Sequence, residues 1–298
     1  MSSKQNVMPI AGILSGALVW GLIWYPYRVL YAAGVSGPMA TMISYLLALL
    51  CSVFMLTRVW PELTKGSWWV VALVLSAGWA NLGYVLAVLS GEVMRVLLLF
   101  YLAPLWTILF SYCLLGERLN RYGYMVVVLS FCGAVIMLWR PQLGWPLPQN
   151  ISEWMGLTAG MSFALSNVVS RRAEHLSITA KSNSALLGTV LLTTSFLWWQ
   201  GGVFNQLIEI EPQSWLLLVL LAIVLFTTSF AVQYGLSTLP ANRVIILLLF
   251  ELVFAAFASY FLADELMDLR DWVGAALIVS ASLLSGQLHG AERIKQQA

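Results

Sequence analysis

Charge is what this chain has least of. Asp, Glu, Lys and Arg make up 9% of its 298 residues, against about 25% in a soluble domain. That scarcity excludes a soluble chain folded around one large core. The net charge is only +2 and no long basic tract is present, which excludes nucleic acid as a partner. Histidine is nearly absent too. His175 and His289 lie in or beside loops, so Ser162 in Gly160-Met161-Ser162-Phe163-Ala164 has no intramembrane histidine to activate it. No His/Asp/Glu cluster has metal-ligand spacing, and no Gly-rich loop ends in Lys-Ser/Thr to cradle a nucleotide. The three cysteines, Cys51, Cys113 and Cys132, lie in apolar runs without metal or disulfide spacing. They are expected to be small apolar packing residues. No cofactor, no metal and no enzymatic activity are expected. Nor is a cleavable signal peptide, because the N-terminus has a single Lys4 and the first apolar run is of full membrane-crossing length.

What the chain has in plenty is apolar length, with 60% of residues hydrophobic. About 20 residues at ~1.5 Å each cross a hydrocarbon core roughly 30 Å thick. Runs of that size recur at roughly 8–31, 36–57, 67–90, 93–115, 121–139, 153–172, 181–200, 214–237, 242–263 and 270–288. The expected fold is an all-α membrane protein of ten transmembrane helices. The longest Pro/Gly break runs from Arg140 to Ile151 and contains Pro141, Gly144, Pro146 and Pro148. Proline blocks helix continuation, so a linker is expected at 141–152, between a first five-helix unit at 1–140 and a second at 153–298.

The two units repeat one another. Arg95 to Glu117 reads RVLLLFYLAPLWTILFSYCLLGE and Arg243 to Glu265 reads RVIILLLFELVFAAFASYFLADE. A shift of 148 places Arg95 on Arg243, Val96 on Val244, Ser111 on Ser259, Tyr112 on Tyr260 and Glu117 on Glu265. Gly16 aligns with Gly160, Arg28 with Arg172, and Gly123 with Gly274. An odd number of spans per unit makes the second cross in the opposite sense, an inverted-topology repeat of the kind secondary transporters use. With the N-terminus inside, eleven of the fifteen Lys and Arg fall on the inner face. Only Arg28, Arg95, Arg140 and Arg270 fall outside, which puts both termini in the cytoplasm. The loop around Glu209 and Glu211 has no Lys or Arg, as suits the outer side.

Two five-span units, Trp20-Gly21 in the first span, and LAPLWTILFSYCLLGERL in the fourth resemble the drug/metabolite transporter superfamily, and its EamA-type branch most closely. The branch has a proline near the middle of span four and Leu-Gly-Glu at its end, here Pro104 and Leu115-Gly116-Glu117. The second unit departs from the pattern. Leu252 follows Glu251 where the family often has proline, and Asp264-Glu265 replaces Gly-Glu. The resemblance covers nearly the whole chain. It implies alternating access around a cavity between the halves, and small solutes such as amino acids, other metabolites, drugs or nucleotide sugars.

Among candidate functional residues Glu251 leads. A charged side chain at bilayer depth costs ~2.5–3.5 kcal/mol on insertion scales, so it must face a cavity or a partner. It is a candidate proton carrier or counter-charge for a substrate ammonium. Arg95, Arg243 and Arg28 are candidate charge partners, with snorkelling to the interface as the plainer reading. Asn81 and Tyr84 lie one turn apart in span three; Asn167 is mid-span in span six; Gln233 and Tyr234 lie in span eight. All five are candidate substrate contacts or interhelical hydrogen-bonding groups. Trp20, Trp24 and Tyr101 complete the candidate binding set, and Trp79 and Trp106 also lie deep. Trp60, Trp68, Trp69, Trp145, Trp154, Trp198, Trp199, Trp215 and Trp272 are placed as an interfacial belt. Glu117 and Glu265 are read as structural, pairing with Arg118 or Arg121 and with Arg270.

The expected function is a secondary transporter of small organic metabolites across the inner membrane. By family resemblance the first choice is an exporter of amino acids or related solutes, with protons as a possible second cargo and the bilayer as surroundings. The alternatives are an importer of a nucleoside, vitamin or quaternary amine, and a non-transporting channel or scaffold.

Overall fold

The computed structural model describes residues 4–64, 68–91, 93–139, 147–201, 207, 210–262 and 268–297. Residues 141–146 of the expected linker, Glu209, and Glu265 lie outside that set, as does the side chain of Arg95. The described residues form helices and no strands. In chain order these are α1 (Lys4–Leu22), α2 (Trp24–Ala32), α3 (Gly37–Cys51), α4 (Val53–Thr64), α5 (Trp68–Ser90), α6 (Val93–Phe100) and α7 (Ala103–Phe110). A π-helical turn, Ser111–Leu115, extends α7. Then follow α8 (Arg121–Leu138), α9 (Ile151–Arg172), α10 (Ile178–Trp199), α11 (Pro212–Thr238), α12 (Ala241–Leu248), α13 (Phe250–Leu262) and α14 (Leu269–Gln297).

An all-helical answer is what lipid demands, because a helix satisfies its own backbone N–H and C=O groups. Among the described residues, six helical stretches are long and apolar enough to cross a membrane: Val7–Ala32, Trp68–Ser90, Val96–Leu115, Arg121–Leu138, Pro212–Thr238 and Arg243–Leu262. Gly37–Cys51 is apolar but shorter. Several helix starts are capped by polar side chains. Asn120 accepts from the Gly123 amide at 2.7 Å, and Ser177 from the Ala180 amide at 3.1 Å. Asn150 and Glu153 cap α9 reciprocally, Asn150 accepting from the Glu153 amide at 2.9 Å while Glu153 accepts from the Gln149 amide at 2.8 Å. Each such cap contributes on the order of 1 kcal/mol.

Three membrane-length stretches are broken, and proline explains two of the breaks. Pro26 cannot donate to the Leu22 carbonyl, and α1 gives way to α2 at Ile23. Pro104 cannot donate to the Phe100 carbonyl, and α6 ends at Phe100. The third break, between α12 and α13 at Leu249, has no proline. There the Leu252 amide reaches back three residues to Leu249 O at 3.1 Å. The shift of 148 that aligns the two sequences carries α6 (Val93–Phe100) onto α12 (Ala241–Leu248) residue for residue.

Packing follows a reciprocal pattern. α5 lies against α9 and α1 against α11; α8 pairs with α14; α10 touches both α3 and α5. α9 runs beside α6 and α7, while α1 runs beside α12 and α13. Gly133 is the close neighbour of Gly274 where α8 crosses α14. The cysteines correct their expectation. All three are exposed on the outer surface, not packed inside. The outward face is rich in large apolar residues, including Phe54, Leu216 and Phe261. Trp60, Trp68, Trp154, Trp198, Trp199, Trp215 and Trp272 are exposed with them, as lipid-facing tryptophans would be.

Candidate functional site at the helix breaks

Two of the breaks meet the same kind of partner, a glycine from the opposite half. Gly160 on α9 sits where a Cβ would fall 2.2 Å from the Phe100 carbonyl oxygen. Gly21 on α1 sits where a Cβ would fall 2.8 Å from the Glu251 carbonyl oxygen. Only a residue with no side chain lets these backbones approach so closely. The two broken stretches are thereby drawn in against α9 and α1, with Tyr101 and Glu251 beside the breaks.

There they meet. The Tyr101 hydroxyl faces the Glu251 carboxylate within side-chain interaction range, and Tyr84 on α5 lies within electrostatic reach of the same acid. Glu251 occupies the first turn of α13, where the positive end of the helix dipole favours an anion. An aromatic chain leads away from it. Tyr101 stands edge-on to Phe100 at 5.5 Å, Tyr84 to Phe100 at 5.1 Å, Phe163 lies 5.6 Å from Phe100, and Trp20 stands edge-on to Phe163 at 5.9 Å. Five elements therefore deliver one acid and five aromatic rings to one place: α1, α5, the α6–α7 break, α9 and α13. Such an arrangement suits a cation or an apolar body with a cationic end.

Of the residues singled out in the sequence, Trp20, Tyr84, Tyr101 and Glu251 are brought together. Asn167 lies on α9 one turn beyond Phe163 and is 5% exposed; its Nδ2 has no hydrogen-bond acceptor among the described residues. Asn81 is committed elsewhere. It accepts from Tyr45 at 2.8 Å and donates to the Ala77 carbonyl and to Thr189 at 3.1 Å, tying α3, α5 and α10 together. Gln233 accepts from Ser170, joining α11 to α9. Trp24 stacks edge-on with its neighbour Tyr25 at 5.7 Å, and Tyr234 is half-buried on α11. Arg28 is exposed on α2. Arg243 is half-buried in the first turn of α12. Arg118 rests over the Tyr112 ring at 5.6 Å.

Phe100 and Phe163 were not singled out in the sequence, though a signal existed. Phe163 shares the α9 stripe of Gly156 and Gly160, and Phe100 is the residue whose carbonyl Pro104 orphans. Lys181 was counted only as an inner-face charge. It is 2% exposed, and its Nζ donates to Ser237 Oγ at 2.9 Å. Arg171 Nη1 donates to the Ser237 carbonyl at 2.7 Å. Two cations thus close the C-terminal end of α11, where the dipole is negative.

A multi-pass helical membrane protein with a half-buried acid at the end of a chain of aromatic rings defines a membrane-transporter class of architecture. The chain belongs to the EamA-like transporter family, whose model matches residues 7–139 and again 150–287. It is similar to an uncharacterized transporter of Archaeoglobus fulgidus, with 28% identity over 206 residues, 68% of this chain and 70% of that one. Protein RarD of Salmonella typhi is 24% identical over 145 residues, about half of each chain (47% and 49%). A protein solved by crystallography superposes with a TM-score of 0.74 at 17% identity, covering 97% of this chain and 99% of that one. That likeness shows the fold alone.

Proposed function

We propose that the protein is a secondary carrier of small organic solutes in the cytoplasmic (inner) membrane, working by alternating access. Its ten spans form two inverted five-span units, at 1–140 and 153–298, with both termini in the cytoplasm. α3 with α4, α9, α10 and α14 supply the spans beyond the six apolar stretches. The reciprocal packing supports this reading: exchanging the units turns the α5–α9 pair into α11–α1, and the α6/α7–α9 pair into α12/α13–α1. So do the equivalent endings of α6 and α12.

One observation carries the proposal. The acid and its tyrosine partner sit at helix breaks that come from different units, so rocking one unit against the other changes what Glu251 faces. Broken helices lining a midplane site are the recurrent device of such carriers. Glu251 binds the ammonium of an amino acid or related solute, and exchanges it for a proton when the site faces the other side. Export is the direction proposed, by family resemblance.

The test is counterflow in proteoliposomes loaded with unlabelled amino acids and metabolites. A carrier exchanges label saturably and faster when the inside is loaded. Non-saturable flux means a channel. No flux for any solute by monodisperse, folded protein sinks the transport reading.

A further inference from the structure

A second shaped surface lies where α7 ends, away from Glu251. There the helix widens into the π-turn Ser111–Leu115, and such turns recur at functional sites. Gly116 then turns the chain at φ 69°, the left-handed cap that glycine favours. Its amide donates to Tyr112 O and the Glu117 amide to Ser111 O, each at 3.2 Å. Glu117 to Leu119 lead on to Asn120, which caps α8. A cavity of about 250 Å³ opens in this crook, lined by Ile108, Tyr112, Glu117, Arg118, Leu119 and Tyr124.

The helix sets the depth of this cavity. Val96–Leu115 is long enough to cross a membrane, so residues just past Leu115 stand at headgroup level. Arg118 is exposed there, over the Tyr112 ring at 5.6 Å. A ring engages the flat face of a guanidinium and a phosphate its edge N–H groups, so the two contacts are compatible. Leu119 and Tyr124 flank the start of α8 and both line the cavity. The positive end of that helix therefore stands beside it. The first turn of α8 contains no acid, and Arg121 opens it. Tyr112 and Tyr124 are exposed and bring hydroxyl donors. Glu117 can accept from a headgroup's amine or hydroxyl, because a carboxylate has about four acceptor sites. Beyond the cavity the surface turns apolar. Leu105, Leu109 and Tyr112 form one exposed stripe at helical spacing, and Met125 and Val128 are exposed on α8. From Leu105 to Tyr112 is about 10 Å. A free phosphate would leave that stripe uncovered, whereas a lipid covers both parts.

We propose that this crook is a phospholipid site, in which Arg118, the tyrosine hydroxyls and the N-terminus of α8 take the headgroup phosphate and the stripe through Leu105 and Leu109 takes an acyl chain. The site is independent of the solute carried and of its direction. In the topology proposed above, the lipid belongs to the cytoplasmic leaflet.

The test uses the full-length protein in detergent, with bound lipid counted by native mass spectrometry. The probes are dioleoylphosphatidylethanolamine, dioleoylphosphatidylglycerol, dioleoylglycerol (the same chains without phosphate) and inorganic phosphate. Wild type is expected to hold one phospholipid about tenfold more tightly than dioleoylglycerol, the equivalent of one charge-assisted hydrogen bond. Inorganic phosphate is expected not to displace it. Arg118→Gln is expected to weaken the phospholipid about tenfold, and Tyr124→Phe, which removes only a hydroxyl, about threefold. Arg28→Gln, which removes an exposed cation on α2, is expected to change nothing. Wild-type melting midpoints show that the variants fold. Equal binding of phospholipid and dioleoylglycerol overturns headgroup recognition. Displacement by inorganic phosphate makes this a free-anion site and overturns the lipid. A phospholipid held by Arg118→Gln and Tyr124→Phe as tightly as by wild type, or lost equally in Arg28→Gln, overturns the placement.

Discussion

Replacing Gly160 by alanine is the most direct perturbation of the helix break. The new Cβ would fall 2.2 Å from Phe100 O, 2.8 Å from its Cα and 2.9 Å from its carbonyl carbon. Ordinary contact begins at 3.4 Å, so α9 and the α6–α7 break must part by about 1.2 Å. The obstructing atoms are backbone and have no rotamer to escape into. Overpacking of this kind costs about 1–3 kcal/mol. The cost falls beside Tyr101, so the contact with Glu251 lengthens as the break is pushed away. Gly160→Ala should lower the thermal midpoint in detergent, read by fluorescence of the 14 tryptophans, and should lower solute affinity as well. Gly123→Ala is the control, since its Cβ would meet a Leu119 side-chain methyl at 3.0 Å, which can rotate aside. If Gly160→Ala melts and binds like wild type, the close approach is not what positions the site.

Further outcomes follow from the other contacts. Pro104→Leu, which gives the first unit the Leu252 of the second, should be tolerated with near-wild-type yield and flux, because α12 and α13 part without a proline; loss of folded protein would show that the first break needs one. Asn81→Leu strips Tyr45 and Thr189 of their partner and should destabilise by about 1–3 kcal/mol, measured as a lower melting midpoint with unchanged solute selectivity; altered selectivity would move Asn81 into the site. Lys181→Met keeps the buried stem but removes the donor to Ser237. It should lower the melting midpoint less than Lys181→Ala, which loses packing too; equal effects would mean that the charge alone matters.

Much of this architecture was readable from the sequence for identifiable reasons. Apolar length specified helices and membrane, because lipid leaves the backbone no alternative. The match of Arg95–Glu117 to Arg243–Glu265 falls on stretches whose first helices end at matching positions, Phe100 and Leu248, although the sequence was read as one unbroken span in each. Glu251 stood out because an acid at that depth is expensive. The rest depended on tertiary contacts. The break at Leu249 has no proline to announce it. Asn81 and Asn167 are the same residue type on similar apolar helices. Only the presence of Tyr45 and Thr189 beside one, and the absence of any described acceptor for Nδ2 of the other, tells them apart. Phe163 is an ordinary apolar residue until the register of α9 on α6 places it against Phe100. Lys181 looked like a charge at a span end, because sequence says nothing of Ser237 lying 56 positions away.

The central claim is that Glu251 couples solute movement to protons. The measurement that tests it is counterflow and gradient-driven flux in proteoliposomes, with and without an imposed pH gradient, for wild type and Glu251→Gln. The account predicts that wild type concentrates solute when the gradient is imposed, and that the glutamine variant, which lacks the carboxylate that takes ammonium and proton in turn, exchanges solute only with weakened affinity and no longer responds to the gradient. An undiminished gradient response in Glu251→Gln would contradict it and make the acid a structural partner of Tyr101.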